Sequence, residues 1–337
     1  MLQPIIRTSR NHRIQQWNIA ISARQACKCR QWGSVPGRSV ATASARWTGR
    51  NRYAPWHAPE ELGCNFVDTA EVYGDSEAIL GEFLAGRRDR WRIATKYSGQ
   101  RGGLLALAER QLRHLGTDTI DFYQIHWVPR GPDELLYEDL YRLKKSGKAR
   151  SVGVSLYTEN DIYFVLDHTL IDGFQVCFSL LDPYPFLAQL EKIRAARPGI
   201  IIRSSLKSGL LTGKFARDAT FPDPNDQRHQ WSRRQIAKTV ETVDQFRFLE
   251  QEAGSMLLAA ARYPLFFPEV STVLLSTKTV AQADINFGQV PGHPLSPKSL
   301  TRITTLQKQL RLGVPHPARR LLAGVKQVAR QLLNRNK

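Results

Sequence analysis

Acidic residues are missing from both ends of this sequence. Residues 1–59 contain no Asp or Glu and ten Lys or Arg, and residues 287–337 likewise contain no acid and ten bases. The stretch between, 60–286, holds 28 basic and 30 acidic residues, a net of −2. The formal charge of +18 therefore belongs to the two ends, and the centre is nearly neutral. A nucleic-acid-binding face needs bases on a folded surface, interleaved with stacking aromatics, so no nucleic-acid partner is expected. Cysteine is also scarce, four in 337 residues, which excludes a disulfide scaffold. Cys27 and Cys29 are too close together for a zinc-ribbon pair, and Cys64 and Cys177 lie in apolar runs. All four read as free thiols of a reducing compartment, with no metal site. No apolar run reaches 18 residues, so no transmembrane helix is expected. A G-x-G-x-x-G sequence is absent, against a Rossmann domain. "GLLTGK" is no Walker loop: three residues separate its glycines instead of four, and Phe215 follows Lys214 where Ser or Thr is required.

What is present is an alternation. Short β-rich runs occur at 64–69, 90–97, 119–127, 149–157, 173–181, 199–206 and 270–278, with amphipathic stretches at 76–85, 103–115, 133–146, 159–168, 186–197 and 233–261. In "LLALAERQLRHLG" Leu104, Leu107, Ala108, Leu112 and Leu115 share one helical face, and Gly116 is placed to end the helix. Strands separated by helices of this length imply right-handed crossovers and a parallel sheet. Seven such units predict an α/β fold, a (β/α)8 TIM barrel, at a chain length that accommodates the ~250 residues such a barrel needs. Its first β/α unit is unrecognisable, so it is hidden in, missing from or disordered within residues 1–59. That segment offers one strand candidate, "WNIAISA" at 17–23.

Three regions follow. Residues 1–59 read as an atypical basic segment, poorly ordered, with a composition like that of an organellar transit peptide or of a stretch read from another start or frame. Residues 60–290 read as the barrel. Residues 291–337 read as a basic tail whose "ARRLLAGVKQVARQLLNRNK" is a cationic amphipathic helix, suited to packing on the barrel or to a membrane surface.

The active site of such a barrel lies at the C-terminal ends of its strands. There the sequence places Asp68, with Tyr73 in the next loop, then Lys96, then His126, from three successive strands. Singly, each has an ordinary role as a solvated, packing or core residue. Jointly they make a proton donor. A phenol is a poor acid at neutral pH unless a neighbouring cation favours its phenolate. Lys96 offers that cation, Asp68 a partner to hold it, and His126 a hydrogen bond for a substrate oxygen. No side chain supplies a hydride, so a nicotinamide cofactor must.

At these residues the sequence resembles the aldo-keto reductases. "LGCNFVDTAEVYG", "IATKY", "LRHLGTDTIDFYQIHW", "GKARSVGVS", "SGLLTGKF" and "STKTVAQADIN" match that family's landmarks in order, over about residues 60–287. The resemblance implies a (β/α)8 barrel that uses NADPH/NADP+ to reduce a small-molecule carbonyl. It implies Tyr73 as general acid, Lys96 as the cation that eases its proton loss, Asp68 as the partner of Lys96, and His126 as the residue that orients the carbonyl. It further implies that Ser155 and Gln175 contact the carboxamide, with Leu156 where the family usually has Asn. Arg203 stands where the family stacks an aromatic on the nicotinamide. Ser204, Leu206 and Lys214 match pyrophosphate-loop positions. Ser276, Thr277 and Lys278 fall at the grip on the 2′-phosphate, with Leu275 and Ser276 in place of the usual Pro-Gly, and Gln282 and Asn286 fall at the adenine. The expected compartment is the cytoplasm, or an organelle if residues 1–59 are a transit peptide. The rival functions are a cofactor-binding but catalytically impaired relative, such as a regulatory subunit or a truncated or misframed product, and a basic surface-binding protein governed by its tails.

Overall fold

The computed structural model describes residues 19–22, 54–99, 102–167, 171–224, 226–277 and 279–312, with the backbone alone for 19–22 and 54–56. Eight parallel strands form a closed barrel in sequence order: β1 (Ile19–Ser22), β2 (Phe66–Asp68), β3 (Arg92–Tyr97), β4 (Ile120–Ile125), β5 (Ala149–Ser155), β6 (Gly173–Cys177), β7 (Gly199–Arg203) and β8 (Thr272–Leu275). β1 lies inside the WNIAISA run. It pairs with β2 through Ile21↔Val67 and with β8 through Ile19↔Val273, which supplies the closing strand and leaves no sheet edge.

The strands are β-branched or aromatic and buried on both faces, as a parallel sheet wrapped in helices requires. Side chains alternate along each strand, so positions two apart share the barrel interior. Phe66, Ala94, Phe122, Ile201 and Leu274 form one interior cluster. Two residues further along the same strands stand Asp68, Lys96, Gln124 and Arg203. The hydrophobic layer is thus the floor on which the polar layer rests. Gly153 makes that floor possible: a Cβ there would lie 2.5 Å from Phe122 Cζ and 2.1 Å from the Gly173 carbonyl oxygen.

The helices follow the apolar stripes. Leu104–Leu115 buries Leu104, Leu107, Ala108, Leu112 and Leu115 and ends at Gly116, whose φ of 60° is left-handed as anticipated. The amphipathic stretch 233–261 is divided in the structure. It is not one helix but Arg233–Asp244, a turn at Glu250–Ala253, and Met256–Leu265. Phe246 drops into the core at the first break. Gly254 (φ 89°) stops the second piece, and Ser255 caps the third by accepting from the Leu258 N–H. Helix Pro297–Gln309 packs on the barrel through Leu300 and Ile303, and Gln307 Nε2 donates to the Leu180 carbonyl at 2.9 Å. The cationic stretch 315–337 lies outside the described residues, as do Cys27 and Cys29. Among the described residues Cys64 and Cys177 form no disulfide. Among the described residues no helix is long and apolar enough to cross a membrane.

Candidate active site

Lys96 is fully buried near the end of β3, and Asp68, ending β2, is 2% exposed. Lys96 Nζ donates to Asp68 Oδ2 at 2.5 Å and to the Thr69 carbonyl at 2.9 Å. The other carboxylate oxygen, Asp68 Oδ1, accepts from Gln175 Nε2 at 2.9 Å and from Gln124 Nε2 at 3.3 Å. A buried ion pair survives only when its remaining polar atoms are also satisfied, and these partners do that. The pair is therefore fixed, with the ammonium facing the barrel mouth.

Tyr73 stands over it. The Lys96 ammonium is 5.6 Å from the centroid of the Tyr73 ring. His126, two residues past Gln124 on the same face, approaches Tyr73 edge-on, with ring centroids 6.2 Å apart. Tyr73 and His126 are half-buried where Lys96 and Asp68 are sealed. All four residues anticipated for catalysis thus meet at one rim, and the two that would touch a substrate are the two that can be reached.

A second buried network lies behind Lys96, and sequence reasoning missed it. Glu77 Oε1 accepts from Thr95 Oγ1 at 2.5 Å and from Gln111 Nε2 at 2.6 Å, and Tyr123 OH donates to Gln111 Oε1 at 2.7 Å. Gln111 Nε2 also donates to the Lys96 carbonyl at 3.2 Å, which ties the network to the backbone of β3. Burial pushes the Glu77 carboxyl up, against the hydrogen bonds from Thr95 and Gln111 that pull it down. A Glu and a Gln on the apolar faces of two adjacent helices were the available signal.

The anticipated cofactor residues line the same end. Ser155 and Gln175 are register partners on β5 and β6. Gln175 turns its amide nitrogen to Asp68, leaving Oε1 as the end that can accept. Arg203, paired with Cys177, donates Nη1 to Cys177 Sγ and Nη2 to the Leu156 carbonyl. Burial works against its charge, but Cys177, Tyr157, Tyr73 and Asp68 outweigh that, and its basicity rises.

After β7 the backbone is left-handed at Ser204 (φ 60°), Lys207 (φ 47°), Ser208 (φ 54°) and Gly209 (φ 89°). So many left-handed residues in one loop store strain, which persists where the chain has work to do. Such turns point successive N–H groups to one side, a concavity suited to anions. Leu206 lies within this loop. Lys214 follows it with Nζ 5.0 Å from the Phe215 ring centroid, in no ion pair among the described residues. After β8 come Ser276 and Thr277, then Gln282 and Asn286. Asn286 Nδ2 donates to the Ser276 carbonyl at 3.3 Å. Lys278 lies outside the described residues.

The buried side-chain atoms at this end with no hydrogen-bond partner among the described residues include Ser155 Oγ, Ser205 Oγ, Thr277 Oγ1 and Asn286 Oδ1. Such groups normally find partners. They follow β5, β7 and β8 in a sequence that an extended polar ligand can satisfy, and so they fit a dinucleotide. Ser205 was not anticipated; its two-residue spacing from Arg203 was the signal.

The sequence and the fold are similar to those of known proteins. The profile described as "Aldo/keto reductase family" matches residues 54–308. An aldo-keto reductase of Strobilurus tenacellus is 30% identical over 259 residues, covering 70% of this chain and 75% of its own. An aldo-keto reductase of Bacillus subtilis is 25% identical over 266 residues, covering 73% and 80%. Among solved structures, a glycerol dehydrogenase from Gluconobacter oxydans superposes with a TM-score of 0.70 at 23% identity, over 89% of this chain and 94% of its own. The holo form of an aldo-keto reductase from Bacillus halodurans gives 0.65 at 21% identity, over 86% and 91%. Those two likenesses concern the fold. With a family profile spanning most of the barrel, the chain belongs to the aldo/keto reductase family, a family of oxidoreductases.

Proposed function

We propose that this protein reduces an aldehyde or ketone to the alcohol with NADPH, Tyr73 giving the proton. The observation that carries the reading is the sealed Lys96–Asp68 pair beneath a reachable Tyr73. A buried ammonium next to a phenol has its strongest effect when the phenol becomes an anion, so it stabilises the state in which the proton has left. Asp68 holds the Lys96 ammonium in place, and Gln124 and Gln175 keep Asp68 oriented. A carbonyl oxygen seated between the Tyr73 hydroxyl and the His126 ring accepts from both. As its carbon gains electrons the oxygen turns basic and takes the Tyr73 proton. The bound nicotinamide supplies the hydride. Ser155 Oγ and Gln175 Oε1 would hold its carboxamide. The loop 204–209, with Ser204 and Leu206, together with Ser205 Oγ and Lys214, would hold the pyrophosphate, and Ser276, Thr277, Gln282 and Asn286 the adenosine end. NADPH is preferred over NADH because Lys278 adds a cation where the 2′-phosphate is expected.

Purified full-length chain should consume NADPH in the presence of a nitrobenzaldehyde and yield the corresponding alcohol. NADPH binding with no alcohol formed would leave the impaired-relative reading in its place.

A further inference from the structure

Arg203 has no part in the proton transfer, yet the structure fixes its guanidinium on three sides. Nη1 donates to Cys177 Sγ, Nη2 donates to the Leu156 carbonyl at 2.9 Å, and Cζ sits 4.7 Å from the Tyr157 ring centroid. Leu156 directly follows Ser155. Cys177 lies two residues past Gln175 on the same strand face. The guanidinium therefore bridges the two strand ends that carry Ser155 and Gln175. A ring held by that pair would have this guanidinium as its neighbour.

The charge there is permanent, and no carboxylate pairs with it among the described residues. Asp68, the acid of the polar layer, is paired with Lys96. A cation so placed has opposite effects on the two forms of a nicotinamide ring. The oxidised ring carries a positive charge, which a neighbouring guanidinium would repel in a site sheltered from water. The reduced ring is neutral and electron-rich, so it gains by stacking on the same plane.

We infer that Arg203 makes this site select the oxidation state of its cofactor, binding the reduced dinucleotide in preference to the oxidised one. The inference rests on the proposed cofactor seat and adds a direction to it. By closure of the thermodynamic cycle, the factor that favours reduced cofactor also makes hydride loss less favourable on the protein than in solution. It hastens release of the oxidised cofactor, and it favours alcohol oxidation among bound reactants.

The test is the affinity of the full chain for three ligands, by calorimetry: NADPH, NADP+ and 2′-phospho-ADP-ribose, which lacks the nicotinamide. The chain should bind NADPH at least about tenfold more tightly than NADP+, a modest share of the repulsion between two unit charges in contact. In Arg203→Gln that ratio should fall to within about twofold, and Arg203→Lys should keep part of it. Affinity for 2′-phospho-ADP-ribose should not change in either. A general field of the +18 chain cannot mimic this, because the substitution removes one charge of many. Equal affinities in the unmodified chain overturn the inference without any variant. So does an unchanged ratio in Arg203→Gln, or a loss for 2′-phospho-ADP-ribose as large as for NADPH, which would make Arg203 a phosphate ligand. If the unmodified chain binds none of the three, the cofactor reading itself fails and the inference goes with it.

Discussion

Gln175 donates its side-chain amide to Asp68 across 107 residues of sequence, at 2.9 Å. The contact joins the strand that faces the proposed nicotinamide seat to the buried ion pair beneath Tyr73. The proposed cofactor end and the proposed proton end of the site thus share one carboxylate.

Replacing Gln175 by Leu removes that donor and leaves Asp68 Oδ1 with the longer bond from Gln124. A hydrogen bond to a buried charge is worth about 1.5–3 kcal/mol, and the loss should show as a lower urea midpoint. NADPH affinity should weaken in the same variant. A protein that loses stability while keeping its affinity would separate the two roles of Gln175.

The Lys96–Asp68 pair should behave as a unit. Breaking it from either side, with Lys96→Met or Asp68→Leu, strands a buried charge and should cost about 3–5 kcal/mol. The double variant should recover much of that stability, since an apolar pair of similar volume replaces an ionic one, yet it should not recover turnover. Denaturant unfolding of all four forms provides the coupling energy. Additive losses would mean that the two charges do not hold one another.

Glu77 gives a pH signature. Its carboxyl is raised above the ordinary value of 4.5, burial being the largest cause. A group whose folded value is raised stabilises fully below the unfolded value, and that contribution is lost as pH rises through the folded one. Above about 4.5, then, the ionising Glu77 withdraws stability. Glu77→Gln keeps an oxygen to accept from Thr95 and Gln111 and carries no charge. Its melting temperature, compared with the unmodified protein at pH 4 and pH 8, should gain relative to it as pH rises. A gap that stays constant or closes would contradict this.

Gly153 tests the barrel floor. A methyl there would collide with the Gly173 carbonyl and the Phe122 ring, both fixed. Gly153→Ala should cost about 3 kcal/mol or more, at the upper end of overpacking, and should disturb Gln124 and Asp68 above it. Near-UV circular dichroism and unfolding midpoints would register both.

Much of this was legible in the sequence for a local reason. Asp68, Lys96 and His126 close β-rich runs, and parallel crossovers bring such ends to one rim whatever the details between them. Gly116 and Leu104 marked a helix by rules that act within a few residues. The rest depends on distant partners. IAIS is too short to identify itself, and it is a barrel strand only because β2 and β8 flank it. The first break within 233–261 follows from Phe246 entering the core, and a periodic pattern does not reveal depth. Gln124 and Gln111 read as ordinary strand and helix residues until Asp68 and Glu77 are seen beside them. Arg203 could be marked as unusual from its position alone, but its hold on Cys177 and Leu156 required the fold.

The most direct test of the account is Tyr73→Phe, which removes one hydroxyl and leaves the ring between Lys96 and His126. With NADPH and a nitrobenzaldehyde, turnover should fall by about 10²–10⁴-fold, the usual contribution of a positioned general acid. NADPH affinity and unfolding midpoint should stay close to those of the unmodified protein. Turnover in Tyr73→Phe equal to that of the unmodified protein would contradict the assignment of the proton to Tyr73, and with it the role given to the buried pair beneath.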